Sequence, residues 1–267
     1  MALKAVLWDV DGTLADTEHH GHRQAFNQAF AQAGLPWHWD GPTYRDLLAV
    51  SGGRERIRHF LAQRQQPPLA EAELEALMAA KQRAYADLAR GGQLPLRPGV
   101  KRLVAEVAAR GWPQALVTTS SRSAVAALLS SQGTAWASAF AFWICGEDVA
   151  AKKPSPEGYQ RALERLNLPA AAVLALEDSP QGLAATRAAA LPCLLTLGES
   201  VASVGGGIEA GAVHAAGDGV APGWWRGARA AVDHLGEEGQ PPRVWLGPPC
   251  PEARVTVPWL ASLVEAD

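Results

Sequence analysis

Five short apolar runs, at 5–8, 115–117, 140–144, 173–176 and 193–197, recur along the chain with helical stretches between them. A near-continuous apolar run of strand length is the pattern of a strand buried on both faces of a parallel sheet. The helical stretches fall at 98–110, 122–132, 156–166 and 180–190. Pro98, Pro156 and Pro180 stand at helix starts, and Gly111 and Gly133 lie just past helix ends, the usual punctuation of such segments. Strand alternating with helix predicts an α/β fold, a doubly wound parallel sheet of Rossmann type with right-handed crossovers.

The interval from 17 to 92 breaks that rhythm. It has no convincing strand and reads as helices at 18–33, 44–50, 55–65 and 70–90, the first stopped by Gly34 and the last by Gly91-Gly92. The expected organisation is an α/β core domain, 1–16 and 93–267, with a helical cap domain, 17–92, inserted after the first strand. Beyond Gly198 the pattern weakens to an expected loop at 204–207, a helix at 224–235 and a Pro- and Gly-rich stretch at 240–251. No chemical role follows for that tail, and no internal repeat stands out.

A chain of 267 residues, 48% hydrophobic and 19% charged, can build a proper core in one large or two smaller domains. The net charge of -3 and scattered basic residues argue against nucleic acid or an anionic membrane as partner. No apolar run approaches the ~20 residues that a membrane helix needs. Three widely spaced cysteines, Cys145, Cys193 and Cys250, make neither a disulfide framework nor a Cys-rich metal site and fit a reducing compartment. Cleavage of a leader would remove Asp9 and its strand, so the expected location is the cytoplasm. A monomer is expected.

Four polar signals come in a set order: Asp9-Val10-Asp11-Gly12-Thr13, Thr118-Thr119-Ser120, Lys152-Lys153-Pro154 and Glu177-Asp178-Ser179. Three directly follow or close an apolar run, and ligands of open α/β sheets bind outside the carboxyl ends of the strands. A carboxylate at Asp9 can attack phosphorus to form an aspartyl-phosphate. Asp11, two residues on, can protonate the leaving oxygen and later deprotonate water. Thr118 and the N–H groups after it can hold phosphate oxygens, and Lys153 can neutralise phosphoryl charge and restrain the nucleophile. The two aspartates with Glu177-Asp178 make a hard oxygen site suited to Mg2+. Each signal alone has an ordinary explanation: a strand-end turn, a helix N-cap, a solvated lysine. Their order along one sheet points to phosphoryl transfer.

On these motifs the chain resembles phosphatases of the haloacid dehalogenase superfamily over roughly residues 1–197. The resemblance implies Asp9 as nucleophile, Asp11 as general acid/base, and Thr118 and Lys153 as the second and third motifs. It implies Mg2+ held by Asp9, the backbone carbonyl of Asp11 and Asp178, with Glu177 in or near the shell. The superfamily's dehalogenases generally lack the magnesium motif, and Glu177-Asp178 speaks against them.

Specificity is expected in the cap, where Ser51-Gly52-Gly53-Arg54-Glu55-Arg56 places free N–H groups and arginines at a helix start. Such a terminus is an anion site, and arginine can grip phosphate in bidentate fashion. If that loop faces the aspartates, one phosphate is held in the cap while another is cleaved in the core. Thr17-Glu18, Gly21-His22-Arg23, Trp37-His38-Trp39, Gly52–Arg56 and Lys152–Pro156 resemble the narrower CbbY-type sugar-bisphosphate phosphatases, which remove the 1-phosphate of xylulose 1,5-bisphosphate, a misfire product that inhibits Rubisco in the Calvin cycle. That resemblance implies metabolite repair on a small phosphorylated sugar, with Glu18, Tyr44 and Arg54 as substrate contacts and His22, Gly53, Lys81 and Thr119 beside them. His19, His20 and His22 have no second His or Cys cluster nearby to favour zinc. The competing readings are a β-phosphoglucomutase-like sugar phosphomutase, a phosphoglycolate phosphatase, and a non-catalytic binding protein on the same fold.

Overall fold

A computed structural model describes residues 2–133, 135–198 and 223–265. The five apolar runs all form strands: β1 (Ala5–Trp8), β2 (Gln114–Val117), β3 (Phe142–Ile144), β4 (Val173–Glu177) and β5 (Cys193–Thr196). They lie parallel in the order β3-β2-β1-β4-β5. Alternate residues of β1 serve opposite faces, as the pleat requires. Val6 and Trp8 join one core layer with Leu103, Val107 and Leu128, while Ala5 and Leu7 join the other with Val117, Tyr159 and Val173. Burial on both faces is why these runs carry no polar alternation.

The covering helices are α5 (Val100–Ala109), α6 (Arg122–Ser131), α8 (Glu157–Leu166) and α9 (Pro180–Ala188), with a short α7 (Ala135–Ser138) before β3. Ser121 and Ser179 start α6 and α9 by accepting from Ala124 N and Gly182 N, caps each contributing about 1 kcal/mol.

Between β1 and β2 stand a π-helical turn, Glu18–His22, that runs into α1 (Arg23–Gln32), then α2 (Gly41–Leu47), α3 (Gly53–Gln63) and α4 (Glu71–Arg90). These helices have their own apolar cluster around Trp39, whose ring lies 4.7, 4.8 and 5.3 Å from those of Phe26, Phe30 and Phe60. The far end of α4 instead joins the core beneath the sheet through Ala84, Tyr85 and Leu88.

The tail departs from expectation. In place of a helix over 224–235, a 3-10 turn (Gly223–Trp225) leads to β6 (Ala230–Val232), which pairs parallel with β5. β7 (Val244–Leu246) lies within the Pro- and Gly-rich stretch and returns antiparallel to β6. Ala230, Ala231 and Val232 are wholly buried, so pairing to Leu194 and Leu195 decides their conformation over the helical preference of alanine. A last helix, α10 (Val257–Glu265), buries Trp259, Leu260 and Leu263 in the main core. The loop expected at 204–207 lies outside the described residues. No described helix is long and apolar enough to cross a membrane.

Candidate active site

The strand register brings the polar signals together. Trp8 stands opposite both Leu116 and Leu176, so Asp9, Thr118 and Glu177-Asp178 emerge at one sheet edge. Asp9 N donates to Leu176 O at 3.0 Å. The turn after Asp11 then needs glycine: Gly12 has φ +86, and a Cβ there would come within 1.9 Å of Asp178 Oδ2.

Lys153 Nζ reaches Asp9 Oδ1 at 2.6 Å, Glu177 Oε1 at 2.6 Å and Val117 O at 2.8 Å. Tyr159 donates its hydroxyl to Glu177 Oε1. Burial pushes the Asp9 carboxyl up to about 8, Lys153 opposing and Glu177 and Asp11 adding to the rise. Asp178 is raised well above the carboxylate range by burial and by the charges of Asp9 and Glu177. Burial disfavours the Lys153 ammonium, but Asp9 and Glu177 outweigh it and hold the lysine charged above its ordinary range.

Ligand oxygens of Asp9, Glu177 and Asp178, all buried, lie within 4.8 Å of one another. Glu177 Oε2 is buried with no hydrogen-bond partner. A Cβ on Gly182 would come within 1.8 Å of that oxygen, so the backbone of α9 leaves it room. An acceptor-only cluster with an orphaned oxygen fits a hard divalent cation.

Asp11 turns its side chain toward the helices of 17–92. Thr17 donates to Oδ1 at 2.5 Å, Ser120 donates to Oδ2 at 2.5 Å, and His22 Nε2 lies 2.8 Å from Oδ1. Burial alone would raise its carboxyl, but His22 first, and then the bonds from Ser120 and Thr17, hold it well below the usual range. Lys81 Nζ lies 2.8 Å from His22 Nδ1. An ammonium only donates, which assigns the Nε2 proton to the Asp11 side. Burial brings Lys81 itself down to about 8.

A cavity of about 1260 Å³ separates the helices of 17–92 from the strand ends. Of the expected residues, Asp9, Asp11, Glu18, His22, Gly53, Arg54, Lys81, Thr119, Lys153 and Asp178 line it. Tyr44, Thr118 and Glu177 do not. Tyr44 is fully buried, donating to Glu18 Oε2 at 2.6 Å and accepting from Arg56 Nη1 at 2.6 Å. It positions Glu18 because the ring is locked beside Trp39. Thr118 Oγ1 accepts from Ser120 N at 3.0 Å and so shapes the loop after β2. Glu177 lies beneath, in the carboxylate cluster. Arg54 lines the cavity but is held by Glu75 at 2.5 Å and Glu71 at 3.4 Å.

Sequence reasoning missed several residues of the site. Arg56, read from the sequence only as one of the arginines at an anion-binding helix start, is 7% exposed and is the buried cation behind Tyr44 and Glu18. Arg45 lines the cavity, its Nε buried without a partner among the described residues. Lys152, Gln82 and Gln181 span from core to helical insertion: Lys152 Nζ to Glu55 Oε1 at 2.7 Å, Gln82 to Ser121, Gln181 Nε2 to Ala49 O at 3.1 Å.

A carboxylate at the first strand's end, a lysine upon it and an acidic pair at the neighbouring strand's end define a phosphate-ester hydrolase. The chain belongs to the haloacid dehalogenase-like hydrolases, whose family model matches residues 3–190, and it is a phosphatase. Within that family it is 45% identical over 199 residues to the plasmid-borne CbbY protein of Cupriavidus necator, covering 73% of this chain and 78% of that one. The crystal structure of CbbY from Rhodobacter sphaeroides in complex with phosphate matches at 40% identity with a TM-score of 0.70, covering 74% of this chain and 88% of that one. A mutant of the same protein, in complex with xylulose-(1,5)bisphosphate, matches equally. A phosphoglycolate phosphatase of Yersinia pseudotuberculosis is 33% identical over 207 residues, 74% of this chain and 82% of that one.

Proposed function

We propose that this phosphatase uses Mg2+ to remove the 1-phosphate of a small sugar bisphosphate, foremost xylulose 1,5-bisphosphate, through a phospho-aspartate on Asp9. The observation that carries this reading is the facing of a lysine and an arginine across one cavity. Lys153 sits at Asp9 on the core side, and Gly53 and Arg54 line the cap side. The xylulose bisphosphate bound to the Rhodobacter sphaeroides relative supports the choice of substrate.

In the proposed cycle, the 17–92 insertion acts as a cap domain that moves about linkers near 15–17 and 91–96 and closes to exclude water. Asp9 attacks phosphorus while the ester P–O bond breaks, and Lys153 balances the charge. Asp11 delivers a proton to the departing sugar oxygen. The proton reaches Asp11 because an arriving phosphate dianion raises the proton affinity of a neighbouring carboxylate. Asp11 then takes a proton from water, which attacks phosphorus and frees Asp9 and inorganic phosphate. Bound at Asp9, Asp178 and Glu177, with the Asp11 carbonyl beside them, Mg2+ would neutralise phosphoryl charge.

The test is an assay of purified protein with Mg2+ against xylulose 1,5-bisphosphate, ribulose 1,5-bisphosphate and β-glucose 1-phosphate, following phosphate and sugar product. Preferential release from the xylulose compound, giving xylulose 5-phosphate, is expected. Glucose 6-phosphate formed from β-glucose 1-phosphate at a comparable rate would overturn the proposal in favour of a phosphomutase.

A further inference from the structure

We infer that the C-terminal segment 230–237, acting through Arg97, anchors the loop that carries Asp9 and Asp11, which makes Arg97 a positioning residue for the reaction. Arg97 stands where the chain returns to the sheet from the helical insertion. Its neighbour Leu96 pairs antiparallel with Ala15, and Arg97 N donates to Leu14 O at 2.9 Å. The backbone on either side of Arg97 therefore already grips the far end of the Asp9–Ala15 turn.

The side chain, 5% exposed, grips its middle. Nη1 donates to Gly12 O and to Thr196 O at 2.8 Å, with Thr196 Oγ1 at 3.2 Å, while Nη2 donates to Asp233 O. Nε lies 3.4 Å from Asp16 Oδ1. One planar fork thus joins the catalytic turn, the end of β5 and the end of β6. A guanidinium suits this because its donors are fixed in direction. Gly12 is also the residue against which Asp178 packs, so a displaced Gly12 carbonyl would shift Asp11 and the seat of Asp178 together.

The tail side of this clamp is built, not incidental. Leu197 N donates to Val232 O at 2.7 Å, and Leu235 N donates to Pro98 O at 3.1 Å. Gly99 N donates to Glu237 Oε1 at 2.9 Å, and Arg102 Nη2 donates to Leu235 O and Gly236 O at 2.9 and 3.0 Å. A Cβ on Gly99 would meet Gly236 O at 2.6 Å, so the two backbones touch. The Asp233 carboxylate accepts from His234 N and Arg243 N, both at 2.8 Å, and so fixes the turn whose carbonyl Arg97 takes. The family model ends at residue 190, which leaves segment 230–237 outside it. The tail that lacked a chemical role in the sequence acquires one: it holds the catalytic turn from behind.

The inference rests on Asp9 and Asp11 being the reacting carboxylates, not on the identity of the sugar. Its test uses full-length Arg97→Lys and Asp233→Ala, with Trp259→Phe as a control that loosens the tail at the Pro249 carbonyl, away from the clamp. Turnover is measured with p-nitrophenyl phosphate and Mg2+, and amide hydrogen exchange is measured without substrate. For both clamp variants, kcat per folded molecule should fall about tenfold or more with KM nearly unchanged, because small misplacements of reacting groups are costly. Exchange at 12–15 should accelerate while β1 and β4 stay protected. Trp259→Phe should lower only the melting temperature. If both clamp variants leave exchange at 12–15 and kcat at wild-type values, or if Trp259→Phe reproduces their effects, the positioning role is wrong. If wild type fails to turn over the ester, the phosphatase reading fails, and the exchange at 12–15 alone still decides for or against the clamp.

Discussion

Lys153 Nζ lies 2.6 Å from Asp9 Oδ1, a contact between residues 144 positions apart that forms where β1 ends. The same ammonium touches Glu177 at 2.6 Å, so one cation keeps two buried carboxylates from repelling each other. Removing it leaves the two buried carboxylates facing each other without their shared counter-ion. Lys153→Ala is expected to lower kcat by about 10²–10³, the usual cost of deleting a preorganised electrostatic group. Lys153→Arg should not restore it, since a planar fork cannot replace a point charge among three close acceptors. Steady-state kinetics of both variants on any phosphate ester checks this, and recovery by arginine would contradict it.

Metal binding should depend on pH in a defined direction. Without metal, the Asp9 carboxyl is raised to about 8 and Asp178 is raised as well, both through burial first. Between the ordinary carboxylate range and about 8, the folded state therefore binds more protons than the unfolded chain, and metal-free stability falls as pH rises through that window. A cation displaces those protons, so its affinity rises over the same range. The melting temperature gained from Mg2+ should be larger at alkaline than at mildly acidic pH. An equal gain at both would mean that Asp9 and Asp178 are already ionised without metal.

The parts legible in the sequence were those with local signatures. β1 to β5 announced themselves because strands buried on both faces read as apolar runs, and the polar signals could be placed because a parallel sheet puts strand ends on one edge. The helical insertion was legible through its glycine stops. β6 was not, since Ala230-Ala231-Val232 carries no strand signature and owes its conformation to pairing with β5. Tyr44 was expected as a substrate contact on the family resemblance alone, and its burial against Arg56 and Glu18, 12 and 26 residues away, was not legible. Arg97 gave no sign either, since its partners are backbone carbonyls spread from Gly12 to Asp233.

Arg54 is expected to serve the second phosphate, although Glu75 holds it at 2.5 Å in the free enzyme. Arg54→Ala should raise KM for a sugar bisphosphate about tenfold or more, the worth of a charge-assisted hydrogen bond, with little effect on a small monophosphate. Glu75→Gln should lower KM for the bisphosphate by freeing the guanidinium. Equal effects of Arg54→Ala on both substrates would move the second-phosphate role to another cavity cation, Arg45 being the one whose Nε has no partner among the described residues.

His22 sets the protonation of Asp11. Its Nε2 lies 2.8 Å from Asp11 Oδ1, and it leads the influences that override the effect of burial on that carboxyl. Replacing it with glutamine would take away the imidazole Nε2–H that Asp11 accepts, so the Asp11 carboxyl should rise toward its ordinary range. An acid limb of kcat that reports ionised Asp11 as the base toward water must then move to higher pH, by about 1 unit or more if a hydrogen bond to the charged form has been lost. The measurement has to be made at saturating Mg2+, because proton competition at Asp9 and Asp178 would otherwise create an acid limb of its own. Lys81→Met offers a second arm, removing the ammonium that leaves the Nε2 proton on the Asp11 side. It should shift the same limb less, because the imidazole and its contact with Asp11 stay in place. A limb that stays put in His22→Gln while kcat falls would show that His22 orients Asp11 without setting its charge.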